Sequence, residues 1–297
     1  MTTLRRGLRP GTDPRRATFL GLSLPVGAAL LVFLVAPIAL TISMSLHHEL
    51  TKDVLGPFDP TLEHYQDATS VASYWALLWT SSVMAFVVAV VATVLAYPVA
   101  YFLAFRAGKR AGTYLILLLV PFWTSYLLRV MAWKLLLGSN GVINSLLLAA
   151  GVIDAPLSAL LYNRSTVVLT LIYVWIPFAM LPILAVLGRI DVRLHDAAAD
   201  LYASPWQQFR RVTLPLSLPG IAAAFLMVFI PTVGEYVTPL LVGGNAGIMY
   251  GNLIEDYFTK SANWPLGAAL GVIMLAITLV LVAIGVRIVK PRRLLQT

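Results

Sequence analysis

The 297-residue sequence contains no cysteine, and charged residues make up only 11% of it. The absence of cysteine excludes disulfides, thiolate metal sites, iron–sulfur clusters and a cysteine nucleophile. The scarcity of charge, together with 59% hydrophobic residues and a mean hydropathy of +0.85, excludes the disordered and ordinary globular classes. A soluble chain of this length could not bury so much apolar surface. The composition therefore predicts an integral membrane protein.

Six long apolar runs predict an all-α membrane protein with six transmembrane helices. Each run is long enough to cross a bilayer, which takes about 20 residues, and none has the alternating pattern of a β-barrel strand. The first run exceeds the apolar core of a cleavable signal peptide, so we expect it to remain as a helix. The predicted spans lie near residues 19–46, 75–105, 113–137, 165–187, 219–241 and 265–288. They form a transmembrane domain, 19–288, flanked by basic tails at 1–18 and 289–297.

The positive charge is unevenly distributed between the predicted loops. If the N-terminus lies inside, the inner segments contain 16 lysine and arginine residues and the outer segments only 3. Membrane proteins retain basic residues on the cytoplasmic side, so both termini are predicted to be cytoplasmic. The net charge of +8 is then explained by orientation in the membrane rather than by binding to nucleic acid. The outer segments have a net charge of −5, which could attract cationic solutes or merely reflect the basic bias of the inner side.

The inner segment 188–218 is too long and too regular to be a simple linker. Ser204 and Pro205 have the residue types of an N-cap and a first helical position, so a short helix is predicted to begin there. Trp206 and Phe209 lie three residues apart, on one face of that helix. Such a helix pair at the membrane surface could enter a groove of a partner protein or lie on membrane lipid.

The residues from Asp196 to Pro215 resemble the EAA motif of ABC importer permeases. Asp196-Ala197-Ala198 and the later apolar-x-Leu214-Pro215 have the residue types and spacing of that motif. Two positions depart from it, because Asp196 replaces a glutamate and Tyr202 replaces the usual glycine of the turn. Either Tyr202 forms a differently built turn, or Ala203-Ser204-Pro205 supplies the bend. The resemblance implies an ATPase-coupling role for Asp196, Ala197, Ala198, Asp200, Tyr202, Ala203, Ser204, Pro205, Trp206, Phe209, Arg210, Leu214 and Pro215.

Further stretches are similar to the permeases of spermidine/putrescine importers, most closely to the first permease of putrescine systems. They are residues 121–130, 212–221, 229–237 and 263–267, and the similarity extends over nearly the whole chain, from about Val26 to Ile288. The resemblance implies the fold of a type I importer permease in the bacterial inner membrane. It also implies transport of a small cationic solute by alternating access. Opine, phosphonate and other importers share these features, so another small solute is the alternative.

The same resemblance implies the partners of the chain. They are a second homologous permease subunit, two cytoplasmic ATPase subunits that use ATP and Mg, and an extracytoplasmic solute-binding protein. The chain itself lacks the G-x-x-x-x-G-K-[ST] sequence that binds phosphates, so we expect no cofactor on it and no enzymatic activity of its own. A secondary transporter driven by an ion gradient is less favoured, because such proteins usually contain an internal repeat and none is present.

Two charged residues lie deep within the predicted spans and need a physical explanation, because a charge in a membrane is costly. Arg129 and Glu235 have opposite charges and similar predicted depths. They could pair across helices and hold an outer gate, Glu235 could instead contact an ammonium group of the solute, or each could do neither. Trp123, Tyr126 and Trp175 could line a cation pathway through their aromatic faces or simply pack between helices.

Overall fold

The computed structural model describes residues 25–48, 60–157 and 160–289. The predicted tail 1–18, residues 19–24 of the predicted first span, residues 49–59 of the first outer segment and all but the first residue of the tail 289–297 lie outside the described residues. Apart from one isolated bridge between His47 and Pro60, the regular structure in these ranges is helical. The prediction of an all-α protein is therefore confirmed.

Eleven helices are used below to describe the fold. They are α1 (Pro25–Ser45), α2 (Glu63–Ser70), α3 (Ala72–Phe105), α4 (Gly108–Trp123), α5 (Tyr126–Leu137), α6 (Val142–Ala149), α7 (Arg164–Leu187), α8 (Arg193–Asp200), α9 (Pro205–Val233), α10 (Tyr250–Thr259) and α11 (Trp264–Val289). Within the described ranges, α1, α3, α7, α9 and α11 are each long and apolar enough to cross a membrane. The bent segment from α4 to α6 can supply the sixth crossing.

The predicted third span, 113–137, is not one straight helix. The chain bends by 81° between α4 and the segment that begins with α5. Thr124 and Ser125 adopt extended backbone conformations at the bend, directly after a 3₁₀ turn that contains Pro121. A proline has no N–H and cannot continue the helical ladder, so it favours an interruption here.

The predicted fifth span, 219–241, and the inner segment 188–218 also differ from the structure. Helix α9 begins at Pro205, inside the predicted segment, and ends at Val233, well before the predicted end of the span. Pro215, Pro219 and Pro231 all lie within it. A π-helical turn at Phe209–Thr213 joins the part of α9 that lies in the predicted inner segment to the part that lies in the predicted span, without a break. The short helix predicted to begin at Ser204–Pro205 and the fifth span are thus one element.

The membrane core is formed by α3, α7 and α9. Helix α3 contributes fully buried alanines, including Ala85, Ala89, Ala92 and Ala96. Between membrane helices the association depends on close packing, and small side chains let the backbones approach. Gly220 of α9 shows how close this approach is: a Cβ atom added there would lie 3.0 Å from the Pro182 carbonyl oxygen of α7.

A second cluster joins the predicted outer ends of the helices. Ala68 of α2, Tyr250 of α10 and Leu270 of α11 are buried together with Leu78 of α3. The short helices α2 and α10 are thereby fixed to the long membrane helices, which matters for the site described next.

Candidate functional site

Two interrupted helices meet in this fold. The chain is interrupted at Thr124–Ser125, between α4 and α5, and again at Gly234–Tyr236, directly after α9. The hydroxyl of Tyr126 lies 2.5 Å from the hydroxyl of Thr238, which is fully buried. This hydrogen bond joins segments that are 112 residues apart in the chain. We call these two interruptions the paired breaks.

Arg129 satisfies backbone groups at the first of the paired breaks. Its Nη1 donates to the carbonyl oxygens of Phe122, at 2.7 Å, and Thr124, at 3.2 Å. Its guanidinium also lies over the Phe122 ring, 5.0 Å from the centroid. The last carbonyls of a helix have no partner within the helix and attract cations. Arg129 therefore caps the C-terminal end of α4.

Glu235 has the complementary role at the second break. Its Oε1 accepts hydrogen bonds from the backbone N–H groups of Val237 and Thr238, both at 3.0 Å. These N–H groups begin a new helical turn that continues through Pro239–Gly243. A carboxylate at this position satisfies free donors and interacts favourably with the positive end of the turn.

Arg129 and Glu235 form no ion pair with each other in this structure. The ion pairs within the described ranges are His48–Glu63 and Lys260–Asp256. The estimated depth of Arg129 assumed a straight third span, and the 81° bend removes that basis. The structure thus brings Arg129, Glu235 and Tyr126 to the paired breaks, where each charge serves its own helix end.

The two tryptophans proposed for the pathway differ in their surroundings. The side chain of Trp123 ends α4 and is 82% exposed. Trp175 is half-buried and packs edge-on against Phe178 of the same helix, with 5.5 Å between ring centroids. Its buried indole N–H has no hydrogen-bond partner among the described residues. Trp175 thus makes a packing contact within α7, whereas the exposed Trp123 is free to contact a neighbour, and their predicted place in a pathway stays a prediction.

Sequence reasoning missed Asn252, which holds the second break from the outer side. Its Nδ2 donates to the carbonyl oxygen of Tyr236 at 2.8 Å, and its Oδ1 accepts from the N–H of Met249 at 3.1 Å. The preceding Gly251 permits this contact, because a Cβ atom there would lie 2.6 Å from the Gly234 oxygen and 2.7 Å from the Glu235 oxygen. The only signal in the sequence is a Gly-Asn pair at a helix start.

Helix α8 and the N-terminal part of α9 present the residues of the EAA-like motif. The side chains of Asp196, Asp200, Tyr202 and Trp206 are exposed, as are Ala197, Ser204, Pro205, Arg210 and Pro215, whereas Ala198, Ala203, Phe209 and Leu214 are partly buried. Ser204 caps α9 in a reciprocal capping box with Gln207. We call the exposed surface from Asp196 to Trp206 the coupling surface.

The backbone conformation of Tyr202 shows how the turn is built without the usual glycine. Its φ is +57°, so it adopts the left-handed conformation that a glycine takes without strain. Its side chain is 97% exposed, next to Leu201 at 82%. The turn is built as for glycine, and the tyrosine side chain is displayed on the coupling surface.

Side chains behind the coupling surface fix it to the membrane helices. His195 Nε2 lies 2.9 Å from the Thr213 hydroxyl, and the His195 ring packs edge-on against Phe105. Phe209 stacks on Trp206, with 5.4 Å between centroids, and contacts Tyr97 and Tyr101 of α3 edge-on. Phe209 therefore anchors the surface, whereas Trp206, 66% exposed, remains open to a partner.

Comparison with known proteins finds a matching family model and several similar relatives. The model of the family described as binding-protein-dependent transport system inner membrane component matches residues 80–294. The spermidine/putrescine transport system permease protein PotB of Haemophilus influenzae is 39% identical over 158 residues, which are 53% of this chain and 55% of the relative. The inner membrane ABC transporter permease protein YdcU of Escherichia coli is 34% identical over 187 residues, 60% of this chain and 58% of the relative. The chain spans little more than half the length of these curated relatives.

A solved structure extends the match in fold to nearly the whole chain. A chain of a bacterial ABC transporter involved in the import of the acidic polysaccharide alginate aligns with a TM-score of 0.71 at 16% sequence identity. The alignment covers 94% of this chain and 97% of that chain. The predicted permease fold is confirmed by this likeness.

Proposed function

Because the chain belongs to the family of binding-protein-dependent transport system inner membrane components, we propose that it is a permease subunit of an ATP-driven importer. We further propose that the imported solute is a small cation, a polyamine such as putrescine or spermidine. The chain is a multi-pass protein of the inner membrane. The coupling surface, within the segment 188–218, receives the action of the ATPase subunits, and the paired breaks line or gate the pathway.

The observation that carries this proposal is the continuity of α9. The helix contains 29 residues, so it is about 43 Å long. It begins at the coupling surface and ends one residue before the break that contains Glu235. A movement imposed at the cytoplasmic end therefore reaches the paired breaks through one element. This connection is what an importer needs if hydrolysis occurs outside the permease.

The proposed partners are supported by apolar surfaces that the described residues of the chain leave exposed. Trp206, Tyr202 and Leu201 offer an exposed apolar surface on the cytoplasmic side for two ATPase subunits, which would use ATP and Mg. An apolar groove of about 720 Å³ lies between α3, α9 and α11 and is lined by Phe86 and Phe225 among others. A second, homologous permease subunit would cover part of this lipid-facing surface. An extracytoplasmic solute-binding protein would deliver the solute from the other side.

The cationic substrate class has two lines of support. The relative from Haemophilus influenzae is named for spermidine and putrescine. The Glu235 carboxylate is partly exposed and forms no ion pair within the described residues, and Tyr126, which contacts Thr238, belongs to the same paired breaks. A carboxylate next to an aromatic face suits an ammonium group, which is attracted to both. Arg129 does not neutralise this carboxylate, because its guanidinium is engaged by the α4 carbonyls.

Uptake into proteoliposomes tests the proposed transport. The complex is reconstituted with its partner subunits, ATP is enclosed on the ATPase side, and the binding protein is added outside with labelled putrescine. We expect accumulation that needs both ATP and the binding protein and that persists when ionophores abolish ion gradients. A complex with an inactive ATPase subunit is the control. Accumulation that continues without ATP but stops with an ionophore would show that the chain is not an ABC permease.

Competition by unlabelled solutes tests the substrate class separately. Putrescine and spermidine should reduce uptake of the label, whereas an opine and an aminoethylphosphonate should not. If ATP-dependent uptake is found only for a solute without an ammonium-rich structure, the polyamine proposal fails and the permease proposal stands.

A further inference from the structure

The outer helix α10 is directly bonded to the second of the paired breaks. Asn252, in its first turn, is only 7% exposed and reaches the Tyr236 carbonyl with its Nδ2. The same amide caps its own helix through Oδ1 and the N–H of Met249. One side chain therefore fixes the start of α10 and the position of the break.

A close backbone contact reinforces this connection. Gly251 lies against the carbonyls of Gly234 and Glu235, so closely that any Cβ atom would overlap them. The cap formed by Glu235 and the contact with α10 involve the same short segment. A displacement of α10 must therefore move the residues on which the Glu235 cap depends.

Helix α10 is also attached to α3 at two points. The N–H of Tyr250 donates to the Ser81 hydroxyl at 2.8 Å, and the hydroxyls of Tyr74 and Tyr257 lie 2.5 Å apart. The far end of α10 is more open: Lys260 and Asp256 form an ion pair whose side chains are 67% and 45% exposed. The helix thus has one end on the break and one end at the outer surface.

We propose that Asn252 is a positioning residue through which α10 transmits binding-protein docking to the Glu235 break. The proposal rests on the proposed function, because it requires a binding protein that approaches from outside. Docking against the exposed end of α10 displaces the helix. The hydrogen bond from Asn252 to the Tyr236 carbonyl transmits this displacement, and the backbone of the second break changes its conformation. This gives the chain a route by which the arrival of solute is communicated to α9 and the coupling surface.

The chemistry of the amide allows a selective test. In Asn252→Asp the side chain keeps an oxygen that can accept from Met249 but loses the donor to the Tyr236 carbonyl. The cap on Met249 is retained, while the hydrogen bond to the Tyr236 carbonyl is replaced by repulsion between that carbonyl oxygen and the new carboxylate oxygen. Asn263 offers a matched control, because its Oδ1 caps α11 through the N–H of Leu266 and none of its hydrogen bonds in the described ranges reaches the break. Asn263→Asp makes the same change of charge and keeps the same kind of cap.

The experiment measures the ATPase rate of the reconstituted full complex with and without solute-loaded binding protein. We expect Asn252→Asp to lower the ratio of stimulated to basal rate by about fivefold or more through loss of the stimulated rate. Asn263→Asp should keep the ratio of the unsubstituted complex. An unchanged ratio in Asn252→Asp, or an equal fall in both variants, overturns the proposal. A lack of stimulation in the unsubstituted complex would instead count against the proposed function.

If the Asn252→Asp protein does not assemble into the complex, a second variant tests the same proposal. Gly251→Ala pushes α10 away from the same break without touching the amide. Gly271→Ala, in α11, is its control, since a Cβ atom there meets nothing within 4 Å. Loss of stimulation in Gly251→Ala alone supports the proposal, and equal behaviour of the two glycine variants overturns it.

Discussion

At the scale of single residues, the charges of the membrane region are explained by the backbone rather than by each other. Arg129 binds the carbonyls that end α4, and Glu235 binds the N–H groups that begin the turn after α9. An interrupted helix in a membrane leaves polar groups that no water satisfies, and each would cost several kcal/mol. A charged side chain placed at each end removes that cost.

This explanation predicts independent effects of the two charges. Glu235→Ala should destabilise the protein by about 1–2 kcal/mol, the usual cost of losing a helix cap, and Glu235→Gln by less because it keeps the acceptor. Combined with Arg129→Gln, the effect of Glu235→Ala should be additive within about 0.5 kcal/mol. Unfolding of the detergent-solubilised protein measures each variant. A double variant clearly more stable than the sum of the single variants would indicate a direct pair instead.

Tyr202 leads to a second prediction at this scale. Its left-handed conformation is tolerated by asparagine and is strained for a β-branched residue. Tyr202→Val should therefore be about 1 kcal/mol less stable than Tyr202→Asn. The same two substitutions at Leu201, which is also exposed but has φ −86°, serve as the control and should not differ in this way. Thermal unfolding in detergent compares the four variants.

The sequence predicted the residue-scale features that depend on neighbours in the chain. The Ser204 cap and the Pro205 start of a helix follow from local preferences, and the structure has both. The partners of Arg129 could not be predicted, because they exist only where the helix is interrupted. Asn252 was missed for a related reason: its partner Tyr236 belongs to a break that the apolar pattern does not reveal.

At the scale of helices, hydropathy located the spans but not their interruptions. Within residues 113–137 the polar Thr124 and Ser125 lie at the 81° bend, but residues of these types do not by themselves mark an interruption, since Ser81 and Ser82 lie inside the continuous α3. Proline was an ambiguous signal. Pro121 precedes a break, whereas Pro219 lies within an unbroken α9. The outcome depends on whether neighbouring groups satisfy the freed carbonyl, which is a tertiary property.

The contact between α7 and α9 leads to a prediction at this scale. Gly220→Ala places a Cβ atom 3.0 Å from the Pro182 carbonyl oxygen and 3.0 Å from the Val186 Cβ, so the helices must separate. We expect a loss of about 1–3 kcal/mol, as in other overpacked cores. Gly285→Ala, in α11, is the matched control because a Cβ atom there meets nothing within 4 Å. Unfolding measurements that show equal stability for both variants would contradict the close packing described here.

At the scale of the whole molecule, the distribution of basic residues predicts the orientation. The absence of cysteine makes this prediction easy to test, since a single introduced thiol is the only one on the chain. Thr259→Cys, at the exposed end of α10, should react with a membrane-impermeant maleimide in intact spheroplasts. Tyr202→Cys, on the coupling surface, should react only after the membrane is permeabilised. The reverse pattern would invert the proposed roles of the two surfaces.

The length of α3, 34 residues, has a consequence for the lipid around the protein. The exposed Trp79 and Phe102 near its two ends are 23 positions apart, or about 35 Å along the axis. A hydrocarbon layer of about 30 Å accommodates this distance if the helix tilts by about 30°. Thicker bilayers would draw α3 upright and strain the contacts of Tyr97 and Tyr101 with Phe209. We therefore expect the acyl-chain length of the membrane to affect the contacts that hold Phe209 in place.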